Sequence, residues 1–246
     1  MGEIAEIWRH PIKSHGREKI ARVDLQAGAT MPWDRVWAVA HTNAKTDGTK
    51  WAPCANFARG SQRPGLMGAY AKVDEISGRV TLTHKDMSEL DVNPDTEGQK
   101  LIDWSNALAP NDLPKAAKII KVPGRGSTDT DFSSVSIGNL ATHRSIEQKL
   151  GHKISHLRWR INFWIEGLPA WEEFELVGKT LKIGSAEISI RERIERCKAT
   201  MANPDTGVRD VDTLSVLRDW GHQDMGVYGY VSKGGTISTA DIVEVI

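Results

Sequence analysis

The sequence predicts a mostly-β protein with a few helices, either a barrel or a mixed sheet. Three observations lead there. Short apolar or alternating runs of strand length recur along the whole chain, each broken by Gly, Pro, Asn or Asp. Ser77-Gly78, Gly184-Ser185 and Gly234-Gly235 are turn signals set between such runs. Stretches with helical spacing of their apolar residues number only three.

In chain order, residues 3–9 alternate charged and apolar side chains and stop before Pro11. Residues 36–40 form a short apolar run of buried-strand length. Residues 70–76 and 79–83 flank Ser77-Gly78 as a hairpin, and residues 181–183 and 186–190 flank Gly184-Ser185 as a second. Between these hairpins, residues 158–166 read as a strand with Trp159, Ile161, Phe163 and Ile165 on one face and Arg158, Arg160 and Asn162 on the other. Residues 227–231 and 242–246 are further strands, with a short one at 236–238. The helical spacings are at 97–108, at 138–150 with Ser136 as N-cap, and at 213–220 with Asp212 as cap and Gly221 as stop. Residues 44–63 and 123–134 are rich in Gly, Pro, Asn, Ser and Asp and read as loops. The expected division is an N-terminal domain at 1–95 and a second at 96–246, with the boundary between 95 and 120.

The 246 residues hold 39% hydrophobic and 26% charged side chains, ordinary for a globular chain. Lys plus Arg and Asp plus Glu both number 32. That balance argues against nucleic acid or an anionic membrane as partner, since both require a basic excess. No apolar run reaches membrane length, and the two cysteines suit a reducing compartment, so the cytoplasm is the expected location. Nine Trp against three Tyr and four Phe is unusual, and most should be core or pocket-wall residues needing a partner for the indole N–H.

The most informative residue is Cys197. Arg191, Arg193, Arg196 and Lys198 surround it, offset in part by Glu192 and Glu195, and Asn203-Pro204-Asp205-Thr206-Gly207 marks a turn shortly after. A thiol among cations loses its proton more easily, and the thiolate is what ligates a soft metal or attacks an electrophile. The alternative is a small core residue flanked by solvated arginines. The sequence has no phosphate-binding loop, dinucleotide fingerprint or nucleophile elbow. Lys13 after Pro11, Arg35 at the start of a strand, and Arg158, Arg160 and Asn162 could join Cys197 in a site of cations, amide donors and one soft ligand. Such a site suits an anionic, sulfur-rich or phosphate-bearing group.

At these residues the chain resembles the MOSC family, the molybdenum-cofactor sulfurase C-terminal domain, preceded by the β-barrel-like N-terminal domain that often accompanies it. The resemblance is carried by Pro11-Ile12-Lys13-Ser14, Asp34-Arg35, Phe57-Ala58-Arg59, Pro64-Gly65-Leu66, Val135-Ser136-Ile137 and Arg160-x-Asn162. Further on, it is carried by Ile165-Glu166-Gly167-Leu168-Pro169, Arg196-Cys197-x-x-Thr200, Pro204-Asp205-Thr206-Gly207 and Gly226-Val227-Tyr228. It implies a β-barrel MOSC domain beside a smaller N-terminal β-rich domain. Among members the chain looks closest to the amidoxime-reducing component type. That implies a molybdenum cofactor, with pyridoxal phosphate not expected, and Cys197 as both catalytic residue and thiolate ligand to the metal. Lys13, Arg35, Ser136, Arg160, Asn162, Arg196 and Thr200 fall at the implied cofactor-contact positions. The implied activity is reduction of N-hydroxylated small molecules, with electrons from a separate flavin, haem or iron–sulfur protein. The rival reading is a non-enzymatic carrier of the cofactor or of persulfide sulfur on Cys197. A scaffold that has lost the cofactor is a third.

Overall fold

Strands from both ends of the chain close a single ring. The computed structural model describes residues 2–246. Its strands are β1 (Gly2–Arg9), β2 (Glu18–Ile20), β3 (Arg22–Leu25), β4 (Ala38–His41), β5 (Tyr70–Asp74), β6 (Arg79–His84), β7 (Met87–Val92) and β8 (Ala116–Ile120), followed by β9 (Val135–Asn139) and β10 (Phe163–Glu166). The rest are β11 (Thr180–Ile183), β12 (Ala186–Glu195), β13 (Asp224–Lys233), β14 (Gly235–Ser238) and β15 (Ile242–Val245). The helices are α1 (Gly98–Ala107), α2 (Leu140–Leu150) and α3 (Thr213–Arg218). The order β10-β9-β13-β12-β11-β15-β1 returns to β10 through β1–β10 pairing, which makes a closed barrel of seven strands, and β2 hangs on β1 outside the ring. The β9–β10 pair is parallel and its ring neighbours pair antiparallel.

Alternating apolar residues fill the barrel: Val135 and Ile137, Phe163 and Ile165, Leu181 and Ile183, Ile188 and Ile190, Val227 and Val231. Each such buried side chain contributes roughly 1.5–3 kcal/mol relative to exposure. In β1 strict alternation breaks. Its register against β10 shifts between Ile4 and Glu6, and this bulge lets Ile4 and Ile7 both enter the barrel core. Trp8 then turns to a separate cluster with Trp159, Trp164 and Leu217. A smaller unit stands beside the barrel: the β5-β6-β7 meander, the β4–β8 pair and α1, packed around Trp37, Leu66, Leu82, Leu101 and Trp104. The stretch where the sequence places the domain boundary holds α1 and β8, while β1 from the N-terminal part completes the barrel.

Two expected elements differ. Residues 158–166 are not one strand: a 3-10 helix spans His156–Trp159, Arg160 is left-handed, and only Phe163–Glu166 is extended. Ser136 caps no helix. It lies inside β9, and Asn139 caps α2 by accepting the Ala141 N–H at 2.9 Å. The sequence pattern points to no strand at β2, β3, β7, β8 or β9. The loops around 44–63 and 123–134 are irregular, with a single 3-10 turn at Cys54–Asn56. Among the described residues, no helix is long and apolar enough to cross a membrane. Of the tryptophans, Trp164 is fully buried and its indole N–H has no partner.

The seam between the two units carries buried histidines. His15 bonds the Lys13 carbonyl at 2.7 Å and the Ser105 hydroxyl at 2.9 Å. Burial pushes its pKa down to about 4 and that of His10 to about 3. In the unfolded chain both return to about 6.5. As pH falls from 6.5 towards 4, the unfolded state takes up protons that the folded state refuses, so stability falls with pH. The urea midpoint should therefore drop across this window, and His15→Gln should flatten the slope. A midpoint independent of pH between 6.5 and 4.5 would contradict this.

Candidate functional site

A cavity of about 240 Å³ opens where the barrel meets the smaller unit. Its wall draws on the turn after β1 (Lys13, Ser14), on Arg35, on the loop holding Cys54, Arg59 and Met67, and on Asp129 from the 123–134 loop. From the barrel come Ser136 on β9, Arg158 to Arg160 before β10, Ile194 to Cys197 at and just past the end of β12, Ala199 and Thr200 in the turn that follows, and Tyr228 on β13. Six cationic side chains (Lys13, Arg35, Arg59, Arg158, Arg160, Arg196) face two carboxylates, Asp129 and Glu195. The chain is neutral overall, so the positive charge is concentrated here.

Most of these cations are clamped. Lys13 Nζ donates to Asp129 Oδ1 at 2.6 Å and to the Ser127 carbonyl at 2.7 Å. Arg35 pairs with Asp34 and donates through Nη2 to the Arg160 carbonyl at 3.1 Å. Arg158 reaches Asp210 and the Thr200 carbonyl, each at 3.1 Å. The Arg196 guanidinium wraps onto the carbonyls of Met225 and Trp159. Two are not. Arg59 donates only to Gln62 Oε1 at 3.4 Å and to Cys54 Sγ at 3.6 Å. The other is Arg160. Nη1 donates to the Gly16 carbonyl at 3.0 Å, and Nη2 is buried with no partner. Burial first, then Arg35 and Arg17, push its pKa down to about 9, so its charge is the least stabilised of the set and gains most from an anion.

The backbone is strained at the same place. Ser14, Arg35 and Arg160 all have positive φ, at 65°, 53° and 52°, and all three line the cavity. Non-glycine residues in that region cost of order 1 kcal/mol each and hold only where the surroundings fix them. Arg35 shows how: its N–H bonds the His10 carbonyl and its carbonyl accepts from Ser127 at 2.7 Å. Gly126 makes that approach possible, because a Cβ there would collide with the Asp34 carbonyl oxygen.

Of the sequence-derived candidates, Lys13, Arg35, Ser136, Arg160, Arg196, Cys197 and Thr200 share the cavity wall. Asn162 does not. Its side chain is fully buried: Oδ1 accepts from the Ser136 N–H at 3.0 Å and hydroxyl at 2.8 Å, and Nδ2 donates to the Trp8 carbonyl at 3.1 Å and Asp34 Oδ1 at 3.0 Å. Its amide is spent on positioning Ser136 and Asp34. The reading of alternating faces fails for it because the left-handed turn at Arg160 resets the register.

Cys197 is exposed, directly after β12, and is not a core residue. The expected cationic lowering of its thiol is not found. Burial of the sulfur within the cavity mouth raises its pKa, with Asp129 and Cys54 adding to the rise, and the Ala199 N–H and Arg196 oppose it without prevailing. The neighbouring arginines point elsewhere: Arg191 stacks over Tyr230 at 5.0 Å and Arg193 over Phe174 at 4.3 Å. Thr200 is buried, its hydroxyl donating to the Cys197 carbonyl at 3.0 Å and lying 2.6 Å from that of Thr213, which fixes the turn carrying Cys197.

Sequence reasoning missed Asp129 and Tyr228. Asp129 lies in a loop read as a linker, where a run of Ser/Thr–Asp steps was the only trace. Lys13 and Arg35 outweigh burial and keep its carboxyl low. Tyr228 sits in a quoted motif with no role attached, and burial together with Asp129 pushes its hydroxyl far up, so it holds its proton.

The family described as "MOSC N-terminal beta barrel domain" matches residues 1–111, and the one described as "MOSC domain" matches residues 126–244. The chain carries a MOSC domain. No curated protein sequence matches it. Among solved structures it is similar to YuaD from Bacillus subtilis, at 13% identity and a TM-score of 0.46 over 99% of this chain and 94% of that one. It is also similar to YiiM from Geobacillus stearothermophilus, at 16% identity and a TM-score of 0.36 over 46% and 53%.

Two stability outcomes follow for this MOSC protein. Asn162→Ala strips four hydrogen bonds from buried partners and should cost roughly 2–4 kcal/mol. Cys197→Ala, at an exposed position, should stay within about 0.5 kcal/mol of the parent. Urea denaturation checks both, and a reversed order would refute the assignment of one residue as scaffold and the other as rim.

Proposed function

We infer that the cavity holds a molybdenum cofactor and that the protein reduces N-hydroxylated small molecules with electrons from a separate redox protein. MOSC domains occur in molybdenum-cofactor-binding proteins, and this chain's residues fit that group. The observation that carries the reading is the pairing of an exposed cysteine at the cavity mouth with Arg160, whose buried Nη2 lacks a partner. An anionic group would satisfy Nη2, and a soft metal takes a thiolate.

In this reading Cys197 Sγ would be the thiolate ligand to the metal, its proton leaving to solvent on binding. Arg35, Arg160 and Arg196 hold the cofactor's anionic parts, and Ser136 adds a hydroxyl. When bound, the cofactor supplies the two-electron redox couple and the acceptor for oxygen. Reduction of R–NHOH consumes two electrons and two protons and yields R–NH2 and water. Tyr228 keeps its proton at Oη and can donate a hydrogen bond into the cavity, while Asp129 and Lys13 form a charged pair that orients water or substrate. The electron donor is a protein of flavin, haem or iron–sulfur type.

The test is elemental and pterin analysis of protein purified from a host that makes the cofactor. The parent should carry molybdenum and pterin. Arg160→Glu should lower retention roughly tenfold or more, since it replaces a charge-assisted contact by repulsion. Cys197→Ser should abolish N-reduction with an artificial electron donor. Molybdenum-free parent protein, or a Cys197→Ser variant with parental turnover, would overturn the reading. Release of intact cofactor to an acceptor without turnover would replace it by a carrier role.

A further inference from the structure

The chain's two cysteines are far apart in sequence, yet both line the same cavity. They arrive from opposite halves: Cys54 opens the 3-10 turn Cys54–Asn56 in the irregular stretch after β4, and Cys197 follows β12. Neither is packed in the core, since Cys54 is half-buried and Cys197 exposed. Arg59 Nη1 donates to Cys54 Sγ at 3.6 Å, a cation placed to hold negative charge on that sulfur during a displacement. Among the described residues no cluster of three or more His, Cys, Asp or Glu side chains is arranged to hold a metal ion, so a protein-only metal centre does not account for the pair.

We propose that the cavity is an oxidative modification site in which Cys54 and Cys197 join as an internal disulfide when it is empty. The oxidant is a low-molecular-weight disulfide. The Cys54 thiolate attacks one of its sulfurs, the S–S bond breaks, and one small thiol leaves. Cys197 gives its proton to solvent, attacks the Cys54 sulfur and expels the second small thiol. Two protein thiols are oxidised by two electrons and the small disulfide is reduced to two thiols. A disulfide holds its Cα atoms within about 7 Å of each other. Any adjustment this requires falls to the irregular stretch carrying Cys54, which precedes the Ala40–Phe57 bridge, because the turn of Cys197 is fixed by Thr200. The product ties the two halves across the cavity and withdraws the Cys197 sulfur from any ligand. The proposal goes beyond the cofactor reading, because the disulfide forms in metal-free protein.

Protein made in a host unable to synthesise the cofactor is incubated with oxidised glutathione. Free thiols measured after denaturation should fall from two per chain to none. Non-reducing peptide mapping should find a Cys54–Cys197 pair that dithiothreitol separates. Cys54→Ser should carry glutathione on Cys197 instead, and Cys197→Ser, at an exposed position, should carry it on Cys54 with no internal bridge. Separate adducts on both cysteines of the parent, dimers between chains, or two thiols left free would overturn the proposal. No arm reads a metal, so its failure leaves the cofactor reading standing, and absence of molybdenum from the parent leaves the disulfide standing.

Discussion

The Asp34 carboxylate is the contact on which the rest of the site depends. It is fully buried, yet it accepts from the His10 N–H at 2.7 Å and from Asn162 Nδ2 at 3.0 Å, and it pairs with Arg35. Burial works to protonate it, and Arg35 with His10 outweighs that and keeps it ionised. A buried charge is tolerated only with this degree of satisfaction. Three segments therefore meet at one carboxylate: the end of β1, the left-handed turn at Trp33 to Arg35, and the approach to β10. Asn162 extends the network to Ser136 on β9, so one anion sets where Arg35 and the Ser136 hydroxyl stand in the cavity wall.

Around that hub the cations divide into those well held by carboxylates or carbonyl oxygens and two that are not: Arg160, and Arg59, which reaches only Gln62 and the Cys54 sulfur. Arg35, Lys13 and Arg158 each have a carboxylate, and Arg196 is held by backbone oxygens. Arg160 has one backbone carbonyl and an empty Nη2. A wall of fully paired cations would shape a pocket without attracting much. A wall with a buried guanidinium nitrogen left unpartnered, on a strained backbone, favours an anionic ligand that satisfies it. The neutral composition of the chain confines that attraction to the cavity.

Much of this was legible in the sequence where local chemistry decides the outcome. The hairpins at Ser77-Gly78 and Gly184-Ser185, the cap at Asp212 and the irregular stretches at 44–63 and 123–134 depend on turn residues and spacing. What failed depended on context. Ser136 looked like a cap because a helix follows, yet pairing of β9 with β10 and β13 claims its backbone and leaves the cap to Asn139. The 158–166 run alternates in sequence, but a positive φ at Arg160 breaks the period and turns Asn162 inward. Strand β2 is only three residues long and has no alternating pattern, and β8 is drawn into pairing by β4, a partner remote in sequence that no local pattern reports.

The charge state of Cys197 shows the same limit at the scale of one atom. Counting neighbours in sequence places four cations near it, whereas in the fold Arg191 and Arg193 spend their charge on aromatic rings and Arg196 on carbonyl oxygens. What reaches the sulfur is loss of water, with Asp129 and Cys54 added, and the thiol is raised. A raised thiol reacts more slowly as a nucleophile, so Cys197 suits the second step, against a sulfur already in the cavity, and not the first. It gains as a ligand wherever a soft cation takes the place of its proton.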